Sequence, residues 1–429
     1  MRISWPGILR LGLVQMALGA IVVLTTATMN RVMVVELALP AVLPGALVAV
    51  YYATQFLRPR FGHGADVGGR RTPWIIGGVL VLALGAIGAA LSVGLMAVAP
   101  GWGIAAAVPS FLLIGLGIGA AGTNLLALLA ARVDEPRQAA AGSAVWIMMI
   151  AGLALTGIAA GILLDPYTPA RLVAVTVGVC AVAVVLTVLG VWGQDGGTPT
   201  RAAPQPFAAT LREIWAEPRT RTFTIFVFAS MLAYNLQDLI LEPFAGHVFG
   251  LTVGESTALG GQHHAGALLG MLLVLASGTV MRRFAVPIRL WIVGGCVLSG
   301  MALMGLGLGA QQAPDWPLGA NVFALGLANG VFAVAAIGAM MGLAREGGTV
   351  RTGARMGVFG AAQAFGFGIG SFTGTVASDV MRRVTGSDAL GYGSVFAAEG
   401  LIFLIAAALA LRITAASRPY PTASHIAGE

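Results

Sequence analysis

Twelve long apolar runs, separated by short charged or Pro/Gly-rich breaks, constrain this chain more than any motif it carries. They fall at residues 10–29, 41–57, 73–97, 104–131, 140–163, 169–192, 222–241, 258–281, 286–309, 317–344, 355–378 and 394–412. A helix needs about 20 apolar residues to cross a hydrocarbon core, whereas barrel strands would alternate apolar and polar positions over about 10. These runs do not alternate, so the expectation is an all-α membrane protein with twelve transmembrane helices. Charged residues make up 10% of the 429, against roughly 25% in a soluble domain. The run beginning at Leu11 is long enough to span and carries no small-residue cleavage pattern, so it is expected to remain as helix 1.

The net charge of +7 could point to nucleic acid. Every basic residue is an Arg dispersed in short breaks, however, which fits membrane topology better and argues against a nucleic-acid partner. Of the 24, only Arg31, Arg171, Arg382 and Arg383 lie on one side; the rest lie at the termini and in the even-numbered loops. The positive-inside rule then places both termini in the cytoplasm. The polar break at 193–221 reads as a cytoplasmic linker between an N-terminal half, 1–192, and a C-terminal half, 222–429.

An internal repeat supports two six-helix halves. Helix 5 carries Gly152, Gly157 and Gly161 and ends in Asp165; helix 11 carries Gly366, Gly368, Gly370 and Gly374 and ends in Asp379. Small residues let helix backbones approach closely in lipid, so these faces are expected to be sliding contacts between the halves. The plainer reading is that Gly is simply frequent in membrane helices. Two pseudo-symmetric six-helix halves with a site at their interface are the arrangement of the major facilitator fold.

Polar side chains interrupt equivalent runs in the two halves. Asn30, Arg31 and Glu36 close the first run; Asn235, Gln237, Asp238 and Glu242, followed by Pro243, close the seventh. An Asp at the centre of a membrane helix costs roughly 2.5–3.5 kcal/mol, which makes such groups functional candidates. The expectation is a charge cluster near the outer ends of helices 1 and 7, in which Arg31 pairs with Asp238 or Glu242 and holds an outer gate. The plain alternative is that these residues end helices at the water interface.

The stretch Gly62-His63-Gly64-Ala65-Asp66-Val67-Gly68-Gly69-Arg70-Arg71 resembles the cytoplasmic motif of the major facilitator superfamily, with Val67 in place of a basic residue. The resemblance implies that Asp66, with Gly62, Gly69, Arg70 and Arg71, helps lock an inner gate. A tight turn with positive anchors would use the same residues.

A narrower resemblance rests on Asn30 to Leu37, Gln237 to Gly250, Thr123 to Leu129, Trp146 to Gly152, Leu164-Asp165-Pro166, Gly360 to Ala364 and Tyr392 to Glu399. These segments resemble the PucC/LhaA family of purple phototrophic bacteria, the bacteriochlorophyll-delivery branch of the major facilitators. The resemblance covers almost the whole chain. It implies a multi-pass protein of the bacterial inner membrane that handles bacteriochlorophyll, or a lipophilic precursor, during light-harvesting complex assembly. Light-harvesting subunits or pigment-synthesis enzymes are the implied partners. Bacteriochlorophyll would be cargo, and no tightly bound cofactor is expected.

Candidate pigment contacts are His247, His263, His264, Asn124 and Gln363. A neutral imidazole can donate to the magnesium of a chlorin, although isolated His residues are more often hydrogen-bonded, and residues 260–264 look like a loop entering helix 8. Glu399, about one turn inside helix 12, is a candidate proton site or a hydrogen-bond partner of a neighbouring helix. Cys180 and Cys296 are expected to be free structural thiols. No metal-ligand, nucleophile or phosphate-loop pattern supports an enzyme. The alternative function is a proton-coupled major facilitator transporter of a small solute. Helices 4 and 10 favour a lipophilic ligand over that rival, since their interiors are charge-free and Asn124 and Asn329 are their main polar groups. A structural chaperone for light-harvesting subunits stays open beside both.

Overall fold

The computed structural model describes residues 3–57, 61, 70–194, 215–279, 287–345 and 349–415. Among these, twelve helices follow the expected order. They are α1 (Trp5–Glu36), α2 (Val42–Ala53), α3 (Thr72–Met96), α4 (Pro100–Arg132), α5 (Glu135–Leu163) and α6 (Pro169–Val191). Then come α7, in two pieces (Pro218–Leu236 and Leu241–Phe249), α8 (Val253–Thr279), α9 (Ile288–Gly309), α10 (Leu318–Arg345), α11 (Thr349–Thr385) and α12 (Asp388–Ala415). Ten spans among the described residues are long and apolar enough to cross a membrane. Six helices open with Pro in the first turn, where its missing N–H costs nothing and its fixed φ suits the helix. At α6 the Thr168 hydroxyl also accepts from the Arg171 N–H at 3.1 Å.

Packing repeats at an offset of six helices. In the first half α1 packs on α5 and α6, α3 on α4 and α6, and α2 on α4. In the second, α7 packs on α11 and α12, α9 on α10 and α12, and α8 on α10. The two most extensive contacts between the halves, α5 with α8 and α2 with α11, are related by the same offset. This is the major facilitator architecture, and the molecule is a multi-pass membrane protein. Outward-facing Leu84, Leu91, Leu155, Ile162, Leu401 and Ile405 are well exposed, as a lipid-facing surface requires.

Each half has its own apolar core, and each lends a residue to the other. Leu239 of α7 lies fully buried in the core that includes Ile21, Met29 and Val32 of α1. Ile150 of α5 is buried with Phe226, Met231 and Phe332 of the second half.

Several expected boundaries are corrected: α11 runs on past Asp379 to Thr385, α12 begins at Asp388, which puts Glu399 about three turns inside it, and two further shifts fall at the seam. Helix 1 does not stop at residue 29 but continues to Glu36, so Asn30 and Arg31 sit inside a helix. Helix 7 does not stop at residue 241: it breaks at residues 237–240 and resumes to Phe249. The linker assigned to 193–221 falls mostly outside the described residues, as do Gly62, Asp66 and Gly69 of the loop motif; Arg70 is described and exposed.

Candidate functional site

At the end of the bundle away from the N-terminus, here the distal end, the halves close on backbone. A Cβ on Gly157 of α5 would lie 2.8 Å from the Cα of Gly261 on α8, and one on Gly161 would lie 2.7 Å from the Gly254 carbonyl oxygen. Contact this close excludes any side chain at these positions. The sister contact carries a hydrogen bond from the Val42 amide of α2 to the Asp379 carboxylate of α11, 2.8 Å. Of the glycines expected to join the halves, Gly157 and Gly161 do so against α8 and Gly368 lies against Tyr52 of α2, whereas Gly152 packs on α1 and Gly366, Gly370 and Gly374 pack on α7 within their own halves.

The break in α7 follows from its sequence. The Leu239 carbonyl would accept the N–H of residue 243 in a continuous helix, but residue 243 is Pro and has none. The chain instead turns through Gln237–Ile240, with the Ile240 and Leu241 amides both donating to the Gln237 carbonyl at 3.0 Å. Leu239's carbonyl is then met from the opposite half, where the Asn30 side-chain amide donates to it. Irregular backbone at membrane depth is tolerated only where protein satisfies it, and here the other half does so.

Arg31 makes the neighbouring crossing. The α1 segments Leu24–Thr28 and Val32–Glu36 are π-helical, with the Leu37 amide bonded to the Val32 carbonyl five residues back. The wider turn brings residues five apart onto one side, and Arg31 pairs with Glu36. Its other amino group donates to the Leu251 carbonyl at 2.6 Å. Gly250, at φ +70°, ends α7 in the left-handed conformation and turns the chain so that residue 251 follows at the seam. Arg31 is only 2% exposed, while the Glu36 side chain is 38% exposed. The expected pairing of Arg31 with Asp238 or Glu242 is thus replaced by Glu36 and a backbone carbonyl, acceptors that sequence alone does not mark. Tyr167, in the loop after α5, lies near this pair; burial pushes its hydroxyl up to about 12, with the Glu36 carboxylate adding to the rise and Arg31 opposing it.

Behind the closure lie polar groups without complete partners. Glu242 is 2% exposed in the first turn of the second α7 piece, packed against Gly260 of α8. Thr257 faces it, yet neither carboxylate oxygen makes a well-formed hydrogen bond among the described residues. Thr257 also meets Thr28 of α1 at 3.3 Å. Among the described residues Gln237, 1% exposed, has neither amide atom bonded, and Asn30 Oδ1 has no partner either. Next to them Asn235 donates to the Phe367 carbonyl at 3.0 Å and to Ser371 of α11, and approaches the Tyr52 hydroxyl of α2 at 3.4 Å. Asp238 is half-buried beside Tyr52 and Tyr234.

The sequence profile described as "PUCC protein" matches residues 28–418. The chain belongs to the PUCC family. It is 48% identical to the bacteriochlorophyll synthase 44.5 kDa chain of Rhodobacter capsulatus over 100% of both chains. It is 31% identical to Protein PucC of Rhodobacter capsulatus, over 94% of this chain and 91% of that protein. In fold, it is similar to a D-xylose-proton symporter (TM-score 0.73, 14% identity, 95% of this chain and 97% of that one). It is likewise similar to a bacterial homologue of the human lysosomal transporter Spinster (TM-score 0.70, 16% identity, 97% and 98% covered).

The remaining candidate residues of this PUCC-family chain are scattered. His247 Nδ1 is bonded to the Tyr392 hydroxyl at 3.0 Å. His263 lies inside α8, not in a loop before it, and its Nε2 meets the Asn329 amide at 3.4 Å, while Ser299 donates to Asn329 Oδ1 at 2.8 Å. His264, also within α8, has no hydrogen-bond partner on Nδ1 among the described residues. Asn124 sits on α4, donating to the Ala120 carbonyl at 2.9 Å and reaching the Phe61 carbonyl at 3.4 Å. Gln363 of α11 makes a long contact to Met231 sulfur, 3.8 Å. Glu399 is fully buried in α12, and neither oxygen has a partner among the described residues, so the expected bond to a neighbouring helix is not formed there. The two cysteines are free and buried. Sequence reasoning missed Thr28, Thr257 and Tyr52, whose common residue types gave no signal until the fold brought them to the seam.

Proposed function

We propose that this PUCC-family protein binds bacteriochlorophyll or a lipophilic precursor between its two halves and delivers it during assembly of the photosynthetic apparatus. It acts as a carrier, not a catalyst. The observation that carries this reading is the pair Gln237 and Glu242, buried at the seam with polar atoms that no described group satisfies. An unpaired buried polar group costs about 1–3 kcal/mol, so retaining several together is consistent with a ligand that completes them. The walls of α4 and α10 are charge-free inside the bundle, which suits a largely apolar molecule bearing a few hydrogen-bonding groups at one edge. A relative 48% identical over its full length bears the name bacteriochlorophyll synthase chain, which supports a pigment as that molecule. The Arg distribution supports a bacterial inner-membrane location with both termini in the cytoplasm. Light-harvesting subunits or pigment-synthesis enzymes are the receiving or supplying partners in this scheme.

The test is purification in mild detergent from a phototrophic host, with near-infrared absorbance and identification of co-eluting polypeptides. Co-purified pigment and photosynthetic partners are the expected result. Neither of them, together with solute uptake in proteoliposomes, would favour the proton-coupled transporter instead.

A further inference from the structure

We propose that His264 supplies the axial ligand to the magnesium of the bound macrocycle, an assignment that rests on the carrier reading above. The second half offers three described histidines on α7 and α8, and two of them hold a partner within that half through one ring nitrogen each. His247 is bonded to Tyr392 and stacked on its ring at 6.0 Å. His263 Nε2 is taken by Asn329, itself held by Ser299, in a buried network confined to α8, α9 and α10. Both rings are thereby anchored to groups of the second half.

His264 is arranged differently. Its Nδ1 is buried without a partner, and its Nε2 makes no hydrogen bond among the described residues and is not sealed from contact. The ring is steadied edge-on by His263, centroid to centroid 5.3 Å. Its position follows from helix geometry: Thr257, Gly260 and His264, spaced three and four apart, share one face of α8. Thr257 meets Thr28 of the opposite half, and Gly260 meets Glu242. That face therefore looks onto the seam, and His264 stands one turn further from the distal closure than Gly260. A neutral imidazole carrying its proton on the buried Nδ1 presents the Nε2 lone pair to an occupant of the seam. Coordination forms one nitrogen-to-magnesium bond, and no proton or electron has to move.

The experiment uses the full-length protein in detergent, titrated with bacteriochlorophyll a and, separately, with its magnesium-free counterpart, bacteriopheophytin a. The wild type is expected to prefer the magnesium form by at least tenfold and to give the five-coordinate magnesium signature by resonance Raman spectroscopy. H264L should lose that preference while binding the magnesium-free pigment as the wild type does. H264G should regain both preference and signature when imidazole is added, which separates lost ligation from lost folding. Wild-type binding of both pigments, with the magnesium preference and coordination signature unchanged in H264L, would overturn the assignment alone. Binding of neither pigment by the folded wild type would overturn the carrier reading and this assignment with it.

Discussion

The Asn30 side-chain amide donates to the Leu239 carbonyl, replacing, from the other half of the molecule, the backbone donor that Pro243 cannot supply. The break in α7 and the seam between the halves are thus one feature: the second half is continuous only while the first stays docked against it.

A double-mutant cycle tests that relationship. N30A should destabilise the protein by about 1–3 kcal/mol, the cost of an orphaned buried carbonyl. P243A restores an N–H four residues after Leu239, so N30A in the P243A background should cost clearly less. Thermal unfolding in detergent measures both steps, and equal costs in the two backgrounds would show that the carbonyl is not the shared element.

The Arg31–Glu36 pair should respond asymmetrically. Removing Glu36 strands a guanidinium that is 2% exposed, and a buried charge left without its partner is strongly destabilising. Removing the cation with R31M leaves Glu36, whose side chain is 38% exposed and can be hydrated in place. E36A is therefore expected to lower the unfolding midpoint more than R31M does, and the reverse order would contradict the burial argument.

Distal closure depends on backbone contact at Gly157 and Gly261. G157L should wedge α5 from α8 and admit solvent to Thr257, which is fully buried in the closed arrangement. With Cys180 and Cys296 replaced by Ala, a T257C probe should react several-fold faster with a water-soluble maleimide when G157L is present. An unchanged rate would mean that the seam is sealed elsewhere.

The helical architecture was legible because about 20 consecutive apolar residues have few alternatives in lipid. That helices 1 and 7 carry corresponding polar interruptions was legible too, since such groups at equivalent places in two repeats are costly. The partners were not. Asn30 and Arg31 both reach backbone carbonyls, of Leu239 and Leu251, and a carbonyl looks the same at every position of a sequence. Pro243 read as a stop because proline ends helices more often than it breaks them; only the resumed piece to Phe249 distinguishes the two. His263 and His264 read as loop because two glycines precede them, yet Gly260 and Gly261 sit within α8, where Glu242 and α5 pack against them.

The most direct measurement is made on Gln237, whose amide is buried at the seam and bonded to nothing described. If that amide is kept for cargo, Q237L should raise the unfolding midpoint by a few degrees, by removing an unsatisfied group worth about 1–3 kcal/mol. The same variant should weaken saturable binding of bacteriochlorophyll a by roughly tenfold, equivalent to about 1.4 kcal/mol. A stabilised variant that binds pigment as tightly as the wild type would contradict the placement of the cargo at this seam.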